Sequence, residues 1–199
     1  FKEKARQVEA DVMQIMLDSM GYKTIRIPEN LNATAEGGEF YFCPGDGVLF
    51  SGACRNNIEG AEWVAQEFNI DELVIMKSNA FHLDTLFTPV INKENKLVAV
   101  IGCTDLMEKD SVENLRQFAK RKNIELVEVS PEDAIGTEHE LGEFAVNCEP
   151  LPGYLVGPTR FRSNKVAPLL KELGVMHITV PTTQFRLSGG AIHCLTNEL

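Results

Sequence analysis

The stretch VAQEFNIDELVIM, residues 64–76, shows the plan on which the whole chain is built. A helical pattern ends at Asn69 and an apolar strand pattern follows at once, because Asn and Gly tolerate the left-handed conformation that closes a helix. The plan recurs in MLDSMGYKTIRIP (16–28), FAKRKNIELVEVS (118–130) and LLKELGVMHITVP (169–181). The four stops, about fifty residues apart, predict an internal repeat; they are Gly21, Asn69, Asn123 and Gly174.

Two extended stretches joined by a turn-prone segment separate each pair of successive helix–strand segments. They are residues 39–42 and 47–52, 81–90 and 96–102, and 144–148 and 153–158. Pro, Gly, Asn and Asp between them favour hairpins, although the sequence leaves a parallel arrangement open. The predicted unit is therefore strand, strand, helix, strand. One unit cannot bury both faces of its sheet, whereas several packed around an axis can.

The repeat is incomplete at both ends of the chain. The chain begins at Phe1 with a helix and a strand that lack two preceding strands, and it closes on GGAIHCLTNEL (189–199) with no helix after it. We therefore expect residues 1–199 to form a single α/β domain whose first unit is missing or partial. We also expect the native protein to have an N-terminal segment outside this chain, the alternative being a degenerate protein that lacks this unit.

Composition narrows the class of protein. The 199 residues are 44% apolar, and the formal charge is −10. This balance disfavours a nucleic-acid or membrane surface, which needs clustered Lys and Arg, and fits either a small cationic partner or an ordinary cytoplasmic protein. No apolar run reaches the roughly 18 residues of a membrane span, and no signal peptide is recognisable. Five cysteines without a C-x-x-C motif disfavour a zinc site and predict reduced thiols.

Three chemically useful side chains follow the last strands of three different units. Glu36 lies in AEGGEF, His82 in FHLDT and Cys194 in GGAIHC, while ELGEF (140–144) follows the remaining strand. Because rotated units bring equivalent positions to a common axis, we expect the carboxylate, the imidazole and the thiol to meet there. Asp84, two residues after His82, would share its face in a strand.

This set predicts nucleophilic catalysis. A thiolate attacks electrophiles near neutral pH, a histidine moves protons, and a carboxylate orients the histidine. Two carboxylates beside a thiol indicate a cationic electrophile. Each residue alone also has a structural interpretation: Cys194 as a core residue, His82 as a hydrogen-bonded histidine, Asp84 as a turn cap and Glu36 as a solvated side chain.

Two further residues near these motifs need an interpretation. His193, next to Cys194, is predicted on the opposite face of a strand and so is interpreted as structural. Arg55 could form a surface ion pair or hold a substrate carboxylate.

Four motifs in this order carry a resemblance to a known family: EGGE (36–39), CRNN (54–57), FHLDT (81–85) and GGAIHC (189–194). Over essentially its whole length the chain resembles the guanidino-group-modifying superfamily, which has the pentein fold. Its members include arginine deiminase, dimethylarginine dimethylaminohydrolase and arginine:glycine amidinotransferase. The resemblance implies an α/β-propeller of five strand-strand-helix-strand units, of which the first would be missing here together with an Asp that grips the guanidinium.

The resemblance also implies roles for individual residues. Cys194 would be the nucleophile, His82 the acid and base, and Glu36 the carboxylate that orients His82. Asp84 would bind guanidinium nitrogens and Arg55 the α-carboxylate of the substrate. No metal or organic cofactor is implied.

The implied activity is hydrolysis of a guanidine, arginine or methylated arginine, through a covalent thiouronium intermediate. Two alternatives stay open: an amidinotransferase, and an inactive pentein that acts as a binding module. The HLD pattern favours a deiminase or an amidinotransferase, whereas the short chain favours a dimethylargininase. Glu39, where the family often has Asp, is a mild departure. The expected partner is a small cationic guanidine, with no nucleic acid and no membrane, and a homodimer is possible.

Overall fold

The computed structural model of the chain describes residues 2–196. Within them, nine strands form three separate three-stranded sheets. The first sheet comprises β1 (Phe40–Cys43), β2 (Val48–Gly52) and β3 (Glu72–Met76). The second comprises β4 (Phe87–Ile91), β5 (Leu97–Gly102) and β6 (Glu125–Glu128), and the third comprises β7 (Glu149–Leu151), β8 (Tyr154–Gly157) and β9 (Met176–Thr179).

All three sheets share one topology. The first two strands are antiparallel, and the third runs parallel to the second, as in the pairing of Val48 with Glu72. A parallel pair needs a crossover connection. Helices supply it: α2 (Ile58–Glu67), α3 (Lys109–Lys122) and α4 (Val166–Glu172). The predicted hairpins and the strand-strand-helix-strand unit are confirmed.

The four predicted helix stops all have left-handed backbones. Their φ values are 88° at Gly21, 51° at Asn69, 54° at Asn123 and 68° at Gly174. Asn123 is the C-cap of α3, and its N–H reaches back to the carbonyl of Lys120. The residue types that tolerate this conformation therefore fix where each helix ends.

The hydrophobic core lies between the sheets and their helices. Helix α3 buries Val112, Leu115 and Phe118, which recur on one helical face. The ring of Phe50 on β2 packs 4.9 Å from that of Phe87 on β4 and 5.3 Å from that of Phe118. Strand β4 contacts both β1 and β7, so the first strands of the three sheets meet around the predicted axis.

The N-terminal region differs from the three complete units. Helix α1 (Gln7–Ser19) has no buried residue. The predicted strand over residues 23–28 is wrong, because this segment has no ladder partner. In the other units the third strand pairs with the second strand of its own sheet, and among residues 2–196 no strand precedes residue 23.

Two predicted strand boundaries are also wrong. Residues 144–148 form a tight turn in which Phe144 has a φ of 55°, and the strand begins at Glu149. The chain reverses at Pro152–Gly153, so part of the predicted turn is a strand. Before β4, residues 83–85 form a 3₁₀ turn, so β4 begins only at Phe87.

Two helical features complete the described chain. A short helix that the sequence did not predict, α5 (Thr183–Leu187), follows β9. Between Lys2 and Thr196, no helix combines the length and apolar character needed to cross a bilayer.

Candidate active site

Glu36 and His82 occupy the same place in two different units. Each has an extended backbone, with φ and ψ of −129° and 137° at Glu36 and −140° and 160° at His82. Each is followed by a 3₁₀ turn, Gly37–Glu39 or Leu83–Thr85, that leads into the first strand of a sheet. The repeat therefore delivers these two side chains to the axis from equivalent positions.

Cys194 lies at a different position from the one predicted. It is the middle residue of the 3₁₀ turn His193–Leu195, as Gly38 and Asp84 are in the two turns described above. The structural equivalent of Cys194 is therefore Asp84, and the turn brings the two side chains together. The cysteine thiol donates a hydrogen bond of 3.2 Å to Asp84 Oδ2.

These turns enclose one cavity of about 560 Å³. The predicted residues Glu36, His82, Asp84 and Cys194 all line it. Aromatic and polar side chains from the same segments complete the wall, including Tyr41, Phe68, Glu149, His193 and Thr196. The structure thus brings together four of the five residues singled out from the sequence.

Glu36 is positioned by hydrogen bonds on several sides. Its backbone N–H donates to Asn56 Oδ1 at 2.7 Å, and its Oε2 lies 3.1 Å from His82 Nε2. Its other oxygen accepts from the Lys2 N–H at 3.0 Å, and the Arg6 guanidinium lies 3.4 Å from Oε2. Burial alone would raise the pKa of Glu36, but the hydrogen bonds from Lys2 and His82 lower it below its usual value.

The ionised Glu36 carboxylate has a direct effect on His82. It fixes the orientation of the imidazole and stabilises a positive charge on it. The other ring nitrogen, Nδ1, faces Gly38, where an added Cβ would lie only 2.6 Å away. That Cβ would also lie 3.0 Å from Asp84 Oδ2. Glycine at position 38 therefore leaves the space that His82 and Asp84 fill.

Asp84 is a fully buried carboxylate at the centre of the cavity wall. Its Oδ2 lies 3.0 Å from His193 Nδ1 as well as 3.2 Å from the Cys194 sulfur. Its Oδ1 has no hydrogen-bond partner. A buried acceptor without a donor is costly, so this oxygen favours a ligand that brings N–H groups and positive charge.

The thiol of Cys194 is poorly ionised in this arrangement. Cys194 is an exposed residue, but the side chains around its thiol desolvate the sulfur. This desolvation, and then the neighbouring Asp84 charge, raise the pKa of Cys194 to about 12. At neutral pH the sulfur therefore keeps its proton and donates a hydrogen bond to Asp84. A cation bound at Asp84 would remove this electrostatic penalty and favour the thiolate.

A third unit contributes Asn147 and Glu149. Asn147 Nδ2 donates to the Cys194 sulfur at 3.2 Å and to the Asp84 carbonyl at 2.9 Å. Glu149 Oε2 accepts from the hydroxyl of Thr196 at 2.5 Å. These bonds fasten the turn that carries Cys194 to the segment that precedes and begins β7.

Glu39, at the end of the EGGE motif, has a structural function that the sequence did not suggest. It is 1% exposed, and its carboxylate accepts backbone N–H groups from Cys54, Arg55 and Leu83. A Cβ at Gly52 would lie 1.7 Å from Glu39 Oε2, so glycine is needed there. Glu39 therefore ties the turn after His82 to the loop after β2.

Arg55 does not line the Cys194 cavity. Its guanidinium pairs with Glu3 at 2.8 Å and lies 4.4 Å from the centre of the Phe81 ring. It lines a neighbouring cavity with Lys2, Cys54 and Asn57, among others. The expected contact of Arg55 with a substrate carboxylate stays a prediction.

The predicted placement of His193 on the opposite face of a strand is wrong, while its interpretation as a structural residue stays a prediction. His193 belongs to a 3₁₀ turn and not to a strand, so its side chain is not directed away from Cys194. Its ring stacks on Tyr41 with centroids 4.2 Å apart and contacts Asp84. Sequence reasoning also missed Asn147 and looked to ELGEF (140–144) for the fourth contribution, whereas Asn147 supplies it.

The described residues offer no evident metal centre. Among residues 2–196, no three His, Cys, Asp or Glu side chains are placed to share an ion. The expectation that no metal or organic cofactor is required stays a prediction. The chemistry available at this site is that of a thiol, an imidazole and carboxylates.

Comparison with known proteins identifies the fold. The chain has the pentein fold, an α/β-propeller, so the fold that the sequence resemblance implied is confirmed. No family model matches the sequence. The bifunctional arginine dihydrolase/ornithine cyclodeaminase AgrE of Nostoc sp. is 24% identical over 98% of this chain, but the chain spans only 26% of that protein.

Two solved structures illustrate the similarity. The N-terminal domain of the cyanobacterial arginine dihydrolase ArgZ, a cysteine-to-serine variant bound to substrate, has a TM-score of 0.78 at 20% identity. That match covers 99% of this chain and 68% of the other. A dimethylarginine dimethylaminohydrolase adduct has a TM-score of 0.65 at 16% identity, covering 97% of this chain and 68% of the other.

Proposed function

We propose that this protein is a cysteine-dependent hydrolase of an arginine-like guanidine. The observation that carries the proposal is the pairing of Cys194 with a buried Asp84 whose Oδ1 has no partner. A planar guanidinium supplies several N–H donors and a positive charge, which are what this oxygen lacks. The relatives named arginine dihydrolase and dimethylarginine dimethylaminohydrolase act on substrates of this class, which supports the proposal.

Substrate binding would also activate the nucleophile. The guanidinium donates to Asp84 and cancels the charge that helps to raise the pKa of Cys194. The thiol proton then passes to His82, whose imidazolium is stabilised by Glu36. Cys194 is thereby ionised only when its electrophile is present.

The first chemical step forms the bond between Cys194 Sγ and the guanidinium carbon. The bond from that carbon to one nitrogen breaks, and His82 gives its proton to the departing nitrogen. The products are a covalent thiouronium and ammonia, or an amine where the nitrogen is substituted. The ammonia therefore contains the former thiol proton, and the positive charge stays on the thiouronium.

The second step is hydrolysis. His82 takes a proton from water, the oxygen attacks the thiouronium carbon, and the carbon–sulfur bond breaks. As the carbonyl forms, the attacking oxygen loses its second proton, which the ammonia or amine released in the first step takes up. His82 returns the other proton to the thiolate. With arginine the ureido product is citrulline. Because Asp84 offers a carboxylate to the guanidinium nitrogens, we expect bare or singly substituted guanidines to be preferred.

Product analysis in heavy-oxygen water tests the proposal. With arginine we expect a ureido product that carries solvent oxygen, together with ammonia, and no amidino transfer to added glycine or lysine. Cys194→Ser should abolish turnover, whereas the matched variant Cys54→Ser, in the neighbouring cavity, should not. Full activity in Cys194→Ser would contradict the mechanism, and an amidino product would make the protein a transferase.

A labelling experiment distinguishes an inactive binding module. A haloacetamidine carries both a cationic amidine and an alkylating carbon, so we expect it to modify Cys194 faster than the other cysteines. The modified residue is identified by mass spectrometry of peptides. Failure to modify Cys194, together with absence of turnover, would favour a binding module.

A further inference from the structure

We propose that Asn147 is a further catalytic residue of this site: its side-chain amide donates a hydrogen bond to the Cys194 sulfur and stabilises that sulfur as an anion. The inference deepens the proposed function, on which its kinetic part rests. It begins from the 3.2 Å separation of Asn147 Nδ2 and Cys194 Sγ.

The orientation of the amide follows from its neighbours. Nδ2 lies 2.9 Å from the carbonyl oxygen of Asp84, which can only accept a hydrogen bond. Oδ1 lies 3.4 Å from the Cys194 N–H, which can only donate. In a flipped amide, Oδ1 would face the Asp84 carbonyl, so that two acceptors met, and Nδ2 would face the Cys194 N–H, so that two donors met. The group that faces the sulfur is therefore the N–H donor.

Asn147 and Asp84 act on the sulfur in opposite directions. Asp84 accepts a hydrogen bond from the thiol and opposes ionisation through its charge, whereas the Asn147 N–H favours the thiolate. Binding of a guanidinium cancels the Asp84 effect and leaves the Asn147 hydrogen bond in place. Asn147 would then be the neutral donor that holds the sulfur during attack and again when the thiolate leaves.

The groups around the sulfur allow this assignment. Asp84 and Asn147 bond directly to it, and His193 faces Asp84 from the same turn as Cys194. Other titratable groups reach the cavity from the remaining elements; they are Arg6, Glu36, Tyr41, His82 and Glu149. The Cys194 sulfur donates a hydrogen bond to Asp84 Oδ2 and accepts one from Asn147 Nδ2, and a hydrogen bond with the Ala191 backbone also favours the thiolate.

Asn147 is fully buried and is absent from the cavity wall. It touches the reacting sulfur from behind and is not placed to contact substrate. A catalytic function of this kind predicts a fall in kcat with little change in KM. A residue that only holds the fold would instead change the thermal or urea stability without changing the reactivity of Cys194 in the folded protein.

The test combines thiol alkylation with steady-state kinetics in Asn147→Ala and Asn147→Asp. Alkylation of Cys194 by neutral iodoacetamide at mildly alkaline pH is followed by intact mass, with Cys194→Ser as background. Loss of the donor lowers the fraction of Cys194 present as thiolate. The remaining thiolate is more nucleophilic, which offsets part of this loss. We therefore expect alkylation about threefold slower in Asn147→Ala and slower still in Asn147→Asp, which places a carboxylate beside the sulfur.

Asn57→Ala is the matched control. Asn57 caps helix α2 through Gly60 and lies outside the Cys194 cavity, so this variant loses stability but should alkylate at the wild-type rate. Asn147→Asp keeps the side-chain shape and gives the result if Asn147→Ala does not fold. Unchanged or faster alkylation in the folded Asn147 variants would overturn the proposal.

The kinetic arm separates this proposal from the proposed function. We expect kcat for arginine to fall about tenfold or more in Asn147→Ala, with KM within about threefold. If wild-type protein hydrolyses no guanidine, the proposed function fails, while the alkylation rates still decide whether Asn147 acts on the sulfur. A KM increase with unchanged kcat would contradict the catalytic assignment.

Discussion

The Cys194 cavity and the cavity lined by Arg55 differ in whether their charged groups already have partners. The larger one, about 740 Å³, includes Arg55, whose guanidinium is already paired with Glu3 and stacked on Phe81. The smaller one, about 560 Å³, includes Asp84, which is fully buried and has an oxygen without a partner. The difference teaches that an unsatisfied buried charge indicates a binding site better than volume does.

Glu39 connects the two cavities physically. One of its oxygens accepts from Leu83 beside His82, and the other accepts from Cys54 and Arg55. The carboxylates of Glu36 and Glu39, three residues apart, therefore serve different purposes. Glu36 holds a side chain that can move protons, whereas Glu39 holds backbone.

The largest effect should come from His82. His82→Asn removes the group proposed to move protons, and general acid–base catalysis contributes about 10²–10⁴-fold. We expect kcat/KM for arginine to fall about 1,000-fold, while the exposed control His139→Asn stays at the wild-type value. Product assays on both variants measure this. A loss below tenfold would remove His82 from the chemistry.

Asp84→Asn should have the next largest effect and should also make the Cys194 thiol easier to ionise. Because Asp84 raises the pKa of Cys194, its loss should lower that pKa and speed alkylation by neutral iodoacetamide at pH 8–9. Loss of the charge should also weaken guanidinium binding, so kcat/KM should fall about 100-fold.

The exposed residue Asp105 supplies the control, Asp105→Asn, in which both rates should be unchanged. In wild-type protein the iodoacetamide rate should rise about tenfold per pH unit up to pH 10, because the thiol titrates near 12. A plateau near pH 8 would show that Asp84 does not suppress ionisation.

Glu39→Gln tests the connection between the cavities. The neutral glutamine amide loses the charge-assisted hydrogen bonds. Its NH2 group also faces at least one backbone N–H, so that two donors meet without an acceptor. We expect the free energy of unfolding to fall by about 2–3 kcal/mol, measured by urea denaturation with Trp63 fluorescence. Glu67→Gln, on the exposed end of α2, should change it by less than about 0.5 kcal/mol. Equal stability of the two variants would refute the structural function of Glu39.

The smallest effect should come from Arg55. Its ion pair with Glu3 is partly exposed, so Arg55→Ala should reduce stability by less than about 1 kcal/mol. If Arg55 keeps its contacts with Glu3 and Phe81 when arginine binds, kcat/KM for arginine should change less than about threefold. A KM increase of about tenfold or more with arginine, but not with an alkylguanidine that lacks a carboxylate, would instead place Arg55 on the substrate.

The periodic features of the fold could be predicted because they depend on local sequence. Gly21, Asn69, Asn123 and Gly174 close helices through their own backbone freedom, and the apolar strands follow them directly. The predicted strand over residues 23–28 failed for a non-local reason. A strand forms only where a partner offers hydrogen bonds, and a pattern in one segment carries no information about its partner.

The same division applies to the site. Glu36, His82 and Asp84 were found because motifs and repeat positions mark them. Asn147 was missed because it lies in FAVNC, where the apolar pattern predicts a strand, and its contact with Cys194 depends on a left-handed turn at Phe144. A non-glycine residue rarely adopts this conformation, so the sequence alone did not indicate the turn.

The site is assembled from turns that are far apart in the chain, and this makes the protein suited to fragment complementation. The exposed loop over residues 137–141 separates the segment that carries Glu36, His82 and Asp84 from the one that carries Asn147 and Cys194. A chain divided in this loop would leave the proposed proton-transfer group, His82, on one piece and the proposed nucleophile, Cys194, on the other. Turnover would then report the reunion of two polypeptides fused to any pair of interacting proteins.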